Sequence, residues 1–319
     1  MKQTLLLIAA MALVGCGKET TPSATENKTE RKVSVKKPIP AEPTPAEKAA
    51  AEKAVAEKAV AEKAVAEKAA AEKAAATKKA ADEAQANAFV NTLGMKFVPV
   101  PGTEVQFCIW ETRVKDYAAY AAANAGVNGW WKKPAFKQEE THPVLKVNWY
   151  EAQGFCAWLT KKELVEGKIK AGQKYRLPTD AEWSMAVGLG KEKGKTPEER
   201  EEGNKGIYPW GKEWPPPKGA GNYEGRLKVD KFEYTAPVGS FAANQHGLHD
   251  LGGNVWEWCE DKWNPTDDTW RTLRGGAACK SAPYATISDS DLLSSRRGTN
   301  FPADRLNYLS GFRCVLAAE

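Results

Sequence analysis

The chain contains little histidine and methionine, and it has only one sizeable apolar run. Three histidines, four methionines and six cysteines occur in 319 residues. The apolar run, residues 5 to 13, is about half of the ~20 residues that span a bilayer, which favours a signal sequence over a permanent membrane span. The formal net charge of +5 is small, so the composition does not indicate a nucleic-acid partner.

The N-terminus has the three parts of a secretory signal. A basic start at Lys2 and the apolar run are followed by small residues and a cysteine. The segment Leu13-Val14-Gly15-Cys16 resembles the bacterial lipobox, so we expect residues 1 to 16 to direct acylation of Cys16 and to anchor the protein in a lipid membrane. An ordinary secretory signal with a chance cysteine is the alternative. Gly17, where an aspartate would favour retention in the inner membrane, indicates an outer-membrane lipoprotein that faces the periplasm or the cell surface.

Two low-complexity segments follow. Residues 17 to 45 hold almost nothing apolar to bury and predict a disordered tether. Residues 46 to 86 repeat the pentapeptide AEKAV with small variations, and its residues are strong helix formers. On an α-helix, a five-residue period places Val55, Val60 and Val65 on different faces. A coiled coil needs its apolar residues along one stripe, so this pattern argues against one. We expect a helical stalk about 60 Å long, with a linker of no required length as the alternative.

The composition changes abruptly at residue 87. All twelve tryptophans lie after this point, among interspersed glycines and prolines. Residues 87 to 319 are enough for one core, and helical patterns are short, at residues 114–123, 149–162 and 181–187. The sequence therefore predicts an irregular α+β domain that is low in regular secondary structure.

Seven sequence blocks occur in order along this domain. The longest, GLHDLGGNVWEWCED, begins at Gly247. The others are LGMKFVPV from Leu93, ETRV from Glu111, YRLPTDAEW from Tyr175, YPWG from Tyr208, LRGG from Leu273 and GFRC from Gly311. In this order the blocks resemble the formylglycine-generating enzyme (sulfatase-modifying factor) family. The resemblance implies that family's fold, which is related to C-type lectins and is stabilised by calcium.

The resemblance places calcium ligands in two loops. Between residues 250 and 257, carboxylates and an amide alternate with glycines, and calcium prefers such oxygen ligands on irregular backbone. The ligands fall on Asp250, Gly253, Val255 and Glu257 in one loop and on Asn222, Tyr223, Asp230 and Phe232 in the other, with Gly253, Val255, Tyr223 and Phe232 contributing carbonyl oxygens. The alternative is that Asp250 and Glu257 cap turns and pair with arginines.

Five cysteines remain after Cys16, in a compartment where disulfides persist. The odd number leaves at least one thiol free or paired outside the chain. The resemblance implies a disulfide between Cys156 and Cys314, which would contribute about 4 to 5 kcal/mol in the chain-entropy model. Pairing of Cys259 with Cys314 or Cys279 is the alternative, and no partner is predicted for Cys108.

The catalytic site that the resemblance implies is incomplete. Active members use two cysteines after a Gly-Gly-Ser turn to bind copper(I), an ion that soft thiolates suit. Here the turn is Gly275-Gly276-Ala277-Ala278-Cys279, and no second cysteine follows nearby. Counted back from Arg297, the two positions fall on Tyr284 and Asp289. At most one thiolate remains, so Cys279 is the single candidate catalytic residue and copper is not expected.

These features favour a non-catalytic, calcium-stabilised binding module on an envelope lipoprotein, with glycans or exported proteins as partners. One alternative is a formylglycine-generating oxidase that converts a sulfatase cysteine to formylglycine. Another is a purely structural envelope lipoprotein. A related branch of the fold uses an iron–histidine triad, and His142, His246 and His249 are the only histidines available for one. Two of them flank the calcium loop, so we do not expect a metal site there.

Overall fold

The computed structural model describes residues 44–201, 206–278, 289–304 and 309–318. The predicted signal sequence with Cys16 lies outside these ranges, as do Cys279 and Tyr284. Within the ranges, no helix is both long and apolar enough to cross a membrane.

The alanine-rich repeat forms helix α1, Pro45–Ala86. Val55, Val60 and Val65 are each 69% exposed, because the five-residue period distributes them around the helix. The part of α1 after Val60 belongs to one compact unit with the residues that follow the helix.

The last turns of α1 pack on a loop that begins at Gly247. Ala81 is buried there, and Gly247 approaches so closely that a Cβ atom built on it would lie 3.2 Å from the carbonyl oxygen of Ala81. The side chain of Gln85 donates a hydrogen bond to the Gly247 carbonyl at 2.8 Å and contacts His249 at 2.9 Å. The end of the repeat therefore contributes to the packed domain, although its composition is that of the exposed repeat.

The first of two sheets contains five short antiparallel strands in the order β1-β2-β3-β9-β4. Its strands are β1 Phe89–Val90, β2 Lys96–Pro99, β3 Val105–Cys108, β4 Gln173–Arg176 and β9 Val315–Ala318. Strand β9 pairs with both β3 and β4, so it brings residues near the C-terminus beside the first strands of the domain.

The second sheet has the order β7-β6-β5-β8 and begins at the glycine-rich loop. Its strands are β5 Trp256–Lys262, β6 Trp270–Arg274, β7 Arg297–Pro302 and β8 Ser310–Gly311. Strand β8 runs parallel to β5, and the other pairs are antiparallel. Strand β8 leads directly to Phe312 and Arg313. The sheet therefore places the buried side chain of Arg313 beside the loop that begins at Gly247.

The remaining helices confirm the three short helical patterns of the sequence, with ends that differ by at most three residues. They are α2 Val114–Ala123, α3 Trp149–Val165, α4 Asp180–Val187 and the short α5 Pro197–Glu201. Reciprocal capping boxes start α3, between Asn148 and Glu151, and α4, between Thr179 and Glu182. Gly188 ends α4 in the left-handed conformation, at φ 92°.

Aromatic side chains fill the core between the sheets and helices. Trp183 and Trp258 are fully buried, whereas Trp256 remains partly exposed. The ring N–H of Trp258 donates to the carbonyl of Val147 at 2.9 Å, which satisfies the one polar atom of the side chain. The domain is a mixed helix-and-sheet structure with much of its chain in ordered loops.

Candidate functional site

The first predicted calcium loop follows the segment that packs against the end of α1, and it leads into strand β5. Asp250, Gly253 and Asn254 all have positive φ, at 57°, 84° and 56°, so this loop reverses direction within a few residues. One carboxylate oxygen of Asp250 accepts the backbone N–H of Gly239 at 2.7 Å. The carbonyls of Gly253 and Val255 accept no recorded hydrogen bond from any described residue. These two oxygens are therefore available as ligands.

Glu257, the last predicted ligand of this loop, is fully buried and paired. Arg313 donates to its two carboxylate oxygens at 2.6 and 2.8 Å, and the ring N–H of Trp183 donates at 3.0 Å. Arg313 also donates to the carbonyls of Cys108 and His249, as expected of a structural donor. Each carboxylate oxygen has two lone pairs, so a cation remains compatible with this pairing.

A third buried carboxylate, Glu111, lies beside these two and was not predicted from the sequence. Burial, followed by repulsion from Asp250 and Glu257, raises the pKa of Glu111 well above its usual range. Burial likewise raises the pKa of Asp250. Three buried carboxylates thus share Arg313 as their buried cationic neighbour, which is the situation that a bound divalent cation relieves. The sequence signal was the acidic first residue of the ETRV block.

The second predicted loop lies against the first. The backbone N–H groups of Tyr223 and Phe232 donate to the carboxylate of Asp230 at 3.0 and 2.8 Å, which closes the loop on itself. Asn222 is buried, and its side-chain oxygen has no hydrogen-bond partner among the described residues. The carbonyls of Tyr223 and Phe232 accept no recorded hydrogen bond either. Burying an amide oxygen without a hydrogen bond costs free energy. A hydrogen-bond donor or a cation at the Asn222 oxygen would therefore stabilise this loop.

Asn254 links the two loops. Its backbone N–H donates to the Asn222 carbonyl at 2.9 Å, and its side-chain oxygen accepts from the side-chain amide of Asn222 at 3.1 Å. Its own amide nitrogen donates to Glu111 at 2.7 Å. The sequence did not predict this role, although the amide stands in the middle of the glycine-rich block. The two loops therefore form one buried polar unit.

Both oxygen sets fit calcium, since they combine carboxylate, amide and carbonyl oxygens on irregular backbone. The described residues contain no group of three or more His, Cys, Asp or Glu side chains that would hold a metal ion. Half of the ligands of the predicted calcium sites are backbone carbonyls. These sites therefore do not need a cluster of three such side chains. Calcium binding stays a prediction.

The turn that carries Cys279 is described only as far as Ala278. Its two flanks are fixed on Asp180: Arg274 donates to that carboxylate from one side, and Arg297 donates to both carboxylate oxygens at 2.9 Å from the other. Asp289 lies in a short 3-10 helix, Asp289–Leu292, just before Arg297. The predicted catalytic position thus belongs to a segment whose two ends meet at one buried aspartate.

The four cysteines among the described residues are all buried. Burial raises the pKa of Cys108 to about 12 and raises those of Cys259 and Cys314 well above the usual range. The sulfur atoms of Cys156 and Cys314 lie 3.5 Å apart and are not bonded to each other, so the predicted disulfide stays a prediction. Thiols in such surroundings are poor sources of a metal-binding thiolate.

The histidines make separate local contacts. His142 contacts the hydroxyl of Thr235 at 3.0 Å, whereas His249 contacts the Phe241 carbonyl at 2.8 Å and Gln85. Burial lowers the pKa values of His142 and His246. These contacts assign His142 and His249 to packing.

Comparison with known proteins identifies relatives with and without activity. The chain is 31% identical over 199 residues to the inactive C-alpha-formylglycine-generating enzyme 2 of Bos taurus, covering 59% of this chain and 56% of that protein. It is 33% identical over 216 residues to the formylglycine-generating enzyme of Thermomonospora curvata, covering 58% and 61%. The chain thus spans less than two thirds of the length of either relative.

Similar structures and a family model were also found. PvdO from Pseudomonas aeruginosa superposes with a TM-score of 0.47 at 22% identity, over 67% of this chain and 80% of that one. The model of the sulfatase-modifying factor enzyme 1-like domain matches residues 50–318, so the match begins inside α1. Since this match covers most of the chain, the protein belongs to the sulfatase-modifying factor family, whose relatives include formylglycine-generating enzymes.

Proposed function

We propose that this protein displays a non-catalytic, calcium-stabilised sulfatase-modifying-factor domain on the bacterial envelope, where it binds glycans or exported proteins. The observation that carries the proposal is the shortage of thiolates at the family's copper position. Cys279 is the single cysteine between Gly276 and Phe312. Two thiolates are needed for a two-coordinate copper(I) site, and one does not make it.

The other cysteines do not replace the missing thiolate. Cys108, Cys259 and Cys314 are buried with raised pKa values, so at neutral pH they remain protonated. Cys314 also lies against Cys156, which suits a disulfide better than a copper ligand. The similarity to an inactive relative agrees with a domain that keeps the fold without the oxidation chemistry.

Calcium supports the fold in this proposal and takes no part in chemistry. Asp250 and Glu257, with the carbonyls of Gly253 and Val255, would hold one ion, and the Asn222 loop would hold the other. The bound ion would supply the positive charge that the buried carboxylates need. Asn254 and Arg313 orient these groups through the hydrogen bonds described above.

The N-terminal part of the protein supplies the location. Acylation of Cys16 anchors the chain in the outer membrane, and the tether and the exposed part of α1 hold the domain away from the lipid. Such a display places the domain among envelope glycans and exported proteins. A purely structural envelope lipoprotein shares every feature except ligand binding.

The test of catalysis is the oxidation of a Cys-x-Pro-x-Arg peptide by the full chain with copper and oxygen, followed by mass spectrometry. The formylglycine-generating enzyme of Thermomonospora curvata serves as the positive control. We expect an unchanged peptide mass. Conversion of the peptide thiol to the aldehyde, abolished in Cys279→Ser, would overturn the non-catalytic assignment. Retention of the full chain on purified envelope glycans, against a denatured control, separates a binding module from a structural one.

A further inference from the structure

A polar pocket lies between the C-terminal end of α2 and the N-terminal end of α3. It has a volume of about 470 Å³, within the range of small-ligand sites. Its polar lining comprises Tyr117, Tyr120, Asn124, Asn128, Asn148, Tyr150 and Glu151. None of these residues belongs to the two calcium loops or to the segment that carries Cys279, so the pocket is separate from the site described above.

The pocket contains a carboxylate without a cationic partner. One oxygen of Glu151 accepts the backbone N–H of Asn148 at 2.9 Å, and no Lys, Arg or His among the described residues forms an ion pair with it. Burial raises the pKa of the Glu151 carboxyl, and the hydrogen bond from Asn148 only partly offsets this effect. A half-buried carboxylate in this position attracts a cation, because a charge without a partner is costly to bury.

Two tyrosines that line the pocket have hydroxyl groups without a hydrogen bond to a described residue, and neither oxygen is among the buried polar atoms that lack a partner, so both oxygens are open to solvent. Tyr117 is 1% exposed and lines the pocket, and its hydroxyl has no recorded partner in the described part of the chain. The Tyr120 hydroxyl has none either. Its oxygen lies 2.7 Å from the position that a Cβ atom on Gly154 would take. A glycine inside helix α3 costs up to about 1 kcal/mol relative to alanine. Here it leaves room for the Tyr120 hydroxyl.

The C-terminal end of α2 also favours a cation. Helix α2 has no basic residue in its last turn, so no cationic side chain of that turn offsets the partial negative charge of its C-terminal carbonyls. The side chain of Asn124 donates to the Tyr120 carbonyl at 2.8 Å, which leaves the Asn124 oxygen as an acceptor. The opposite, positive end of α3 is covered by the capping box of Asn148 and Glu151.

We propose that this pocket binds the protonated side chain of a lysine or arginine from a partner polypeptide. The Glu151 carboxylate and the tyrosine hydroxyls would accept its N–H donors, and the tyrosine rings would contribute cation–π attraction. The capping box uses one oxygen of Glu151, so the other oxygen and the two tyrosine hydroxyls remain as acceptors at the pocket. The shared chemistry also admits a free amine, so the test includes both sources.

The test titrates the full chain with Nα-acetyl-lysine methylamide and Nα-acetyl-arginine methylamide by calorimetry. Nα-acetyl-norleucine methylamide is the uncharged control, and putrescine and choline represent free amines with and without N–H groups. We expect saturable binding of at least one cationic amide, and binding of the norleucine amide that is weaker by roughly tenfold or more. Stronger binding of putrescine than of either amide would assign the pocket to free amines and overturn the polypeptide ligand.

Substitutions then locate the binding. Glu151→Gln keeps an acceptor for the Asn148 N–H and should weaken the cationic amides by roughly tenfold, whereas Glu140→Gln removes an exposed carboxylate and should change nothing. Tyr120→Phe should weaken binding without altering the capping box, so it serves if Glu151→Gln fails to fold. Equal affinity of the wild type and both pocket variants, or no saturation by either amide, would refute the site. These outcomes do not depend on calcium or on Cys279, so they are distinct from a failure of the proposed function.

Discussion

A Cβ atom on Gly253 would lie 2.1 Å from the carbonyl oxygen of Asn222, so the two candidate calcium loops meet backbone against backbone. Gly253 also has φ 84°, a conformation that side chains rarely adopt. Gly253→Ala should therefore lower the free energy of unfolding by about 2 kcal/mol or more, measured by urea denaturation. Gly225→Ala, in open space and without positive φ, is the control and should change it by about 0.5 kcal/mol or less. Equal effects of the two changes would contradict the backbone contact.

Calcium should raise the melting temperature, because an ion that binds only the folded state stabilises it. We expect the addition of a chelator to lower the melting temperature of the wild type. The chelator should have less effect on Asp250→Ala and on Asp230→Ala, each of which lacks one predicted ligand, whereas the exposed Asp304→Ala should respond like the wild type. Identical melts with and without chelator would refute bound calcium.

The ionised carboxylate of Asp180 should make the free energy of unfolding depend on pH in the acid range. Its burial by itself raises its pKa, but attraction to Arg274 and hydrogen bonds from Arg297 outweigh this effect and hold the pKa well below its usual range. A carboxyl with a depressed folded pKa contributes stability that is present above its unfolded pKa of about 3.9 and is lost as the pH falls toward the folded value. Asp180→Asn should lower the free energy of unfolding by about 3 to 5 kcal/mol at pH 7.

The difference between Asp180→Asn and the wild type should then shrink as the pH falls below about 4, because the carboxyl of the unfolded chain takes up a proton there while the folded carboxyl, with its depressed pKa, stays charged. Urea denaturation at pH 7 and at successively lower pH measures both. A difference that stays constant with pH would show that Asp180 contributes by packing rather than by charge.

Cys156 and Cys314 are expected to form a disulfide in the exported protein. Their sulfur atoms are already in contact, and the closed loop predicts a stabilisation of about 4 to 5 kcal/mol. Alkylation of the unfolded, unreduced protein should leave both cysteines unlabelled while Cys259 is labelled. Labelling of all the cysteines would contradict the bond, and labelling of Cys156 with Cys259 protected would indicate the alternative pairing of Cys259 with Cys314 or Cys279.

Cys16→Ser should release the protein from the membrane fraction, because the change removes the predicted site of acylation. Fractionation with immunoblotting measures the distribution, and Cys108→Ser, which alters a cysteine of the folded domain, is the control. Unchanged membrane partitioning of Cys16→Ser would refute the lipid anchor.

Local signals in the sequence predicted the helices well. The starts of α3 and α4 follow from Asn148 and Thr179, each with a glutamate three residues later, a pattern that acts within one turn. The strands were not predicted individually, because β1 and β8 are two residues long and too short to show an alternating pattern. Their pairing depends on contacts between distant segments.

The sequence predicted only part of the candidate site, because its residues also come from distant segments. The positions of both loops follow from the family resemblance, but Glu111 is separated from Asn254 by 143 residues, and no local pattern connects them. The packing of Ala81 and Gln85 on the domain was also missed. These residues end a repeat in which residues 46–76 are all exposed, so the packing of its last turns has no signature in composition.

The attachment of Arg274 and Arg297 to one aspartate has a consequence for the two strands that flank the Cys279 segment. Arg274 ends β6 and Arg297 begins β7, so the Asp180 carboxylate fixes the spacing between these strand ends. Arg274 and Arg297 also donate to the carbonyls of Ser294 and Ser295, which secures the described residues just before β7. None of these contacts involves a cysteine, so the frame on both sides of the segment does not depend on a thiol.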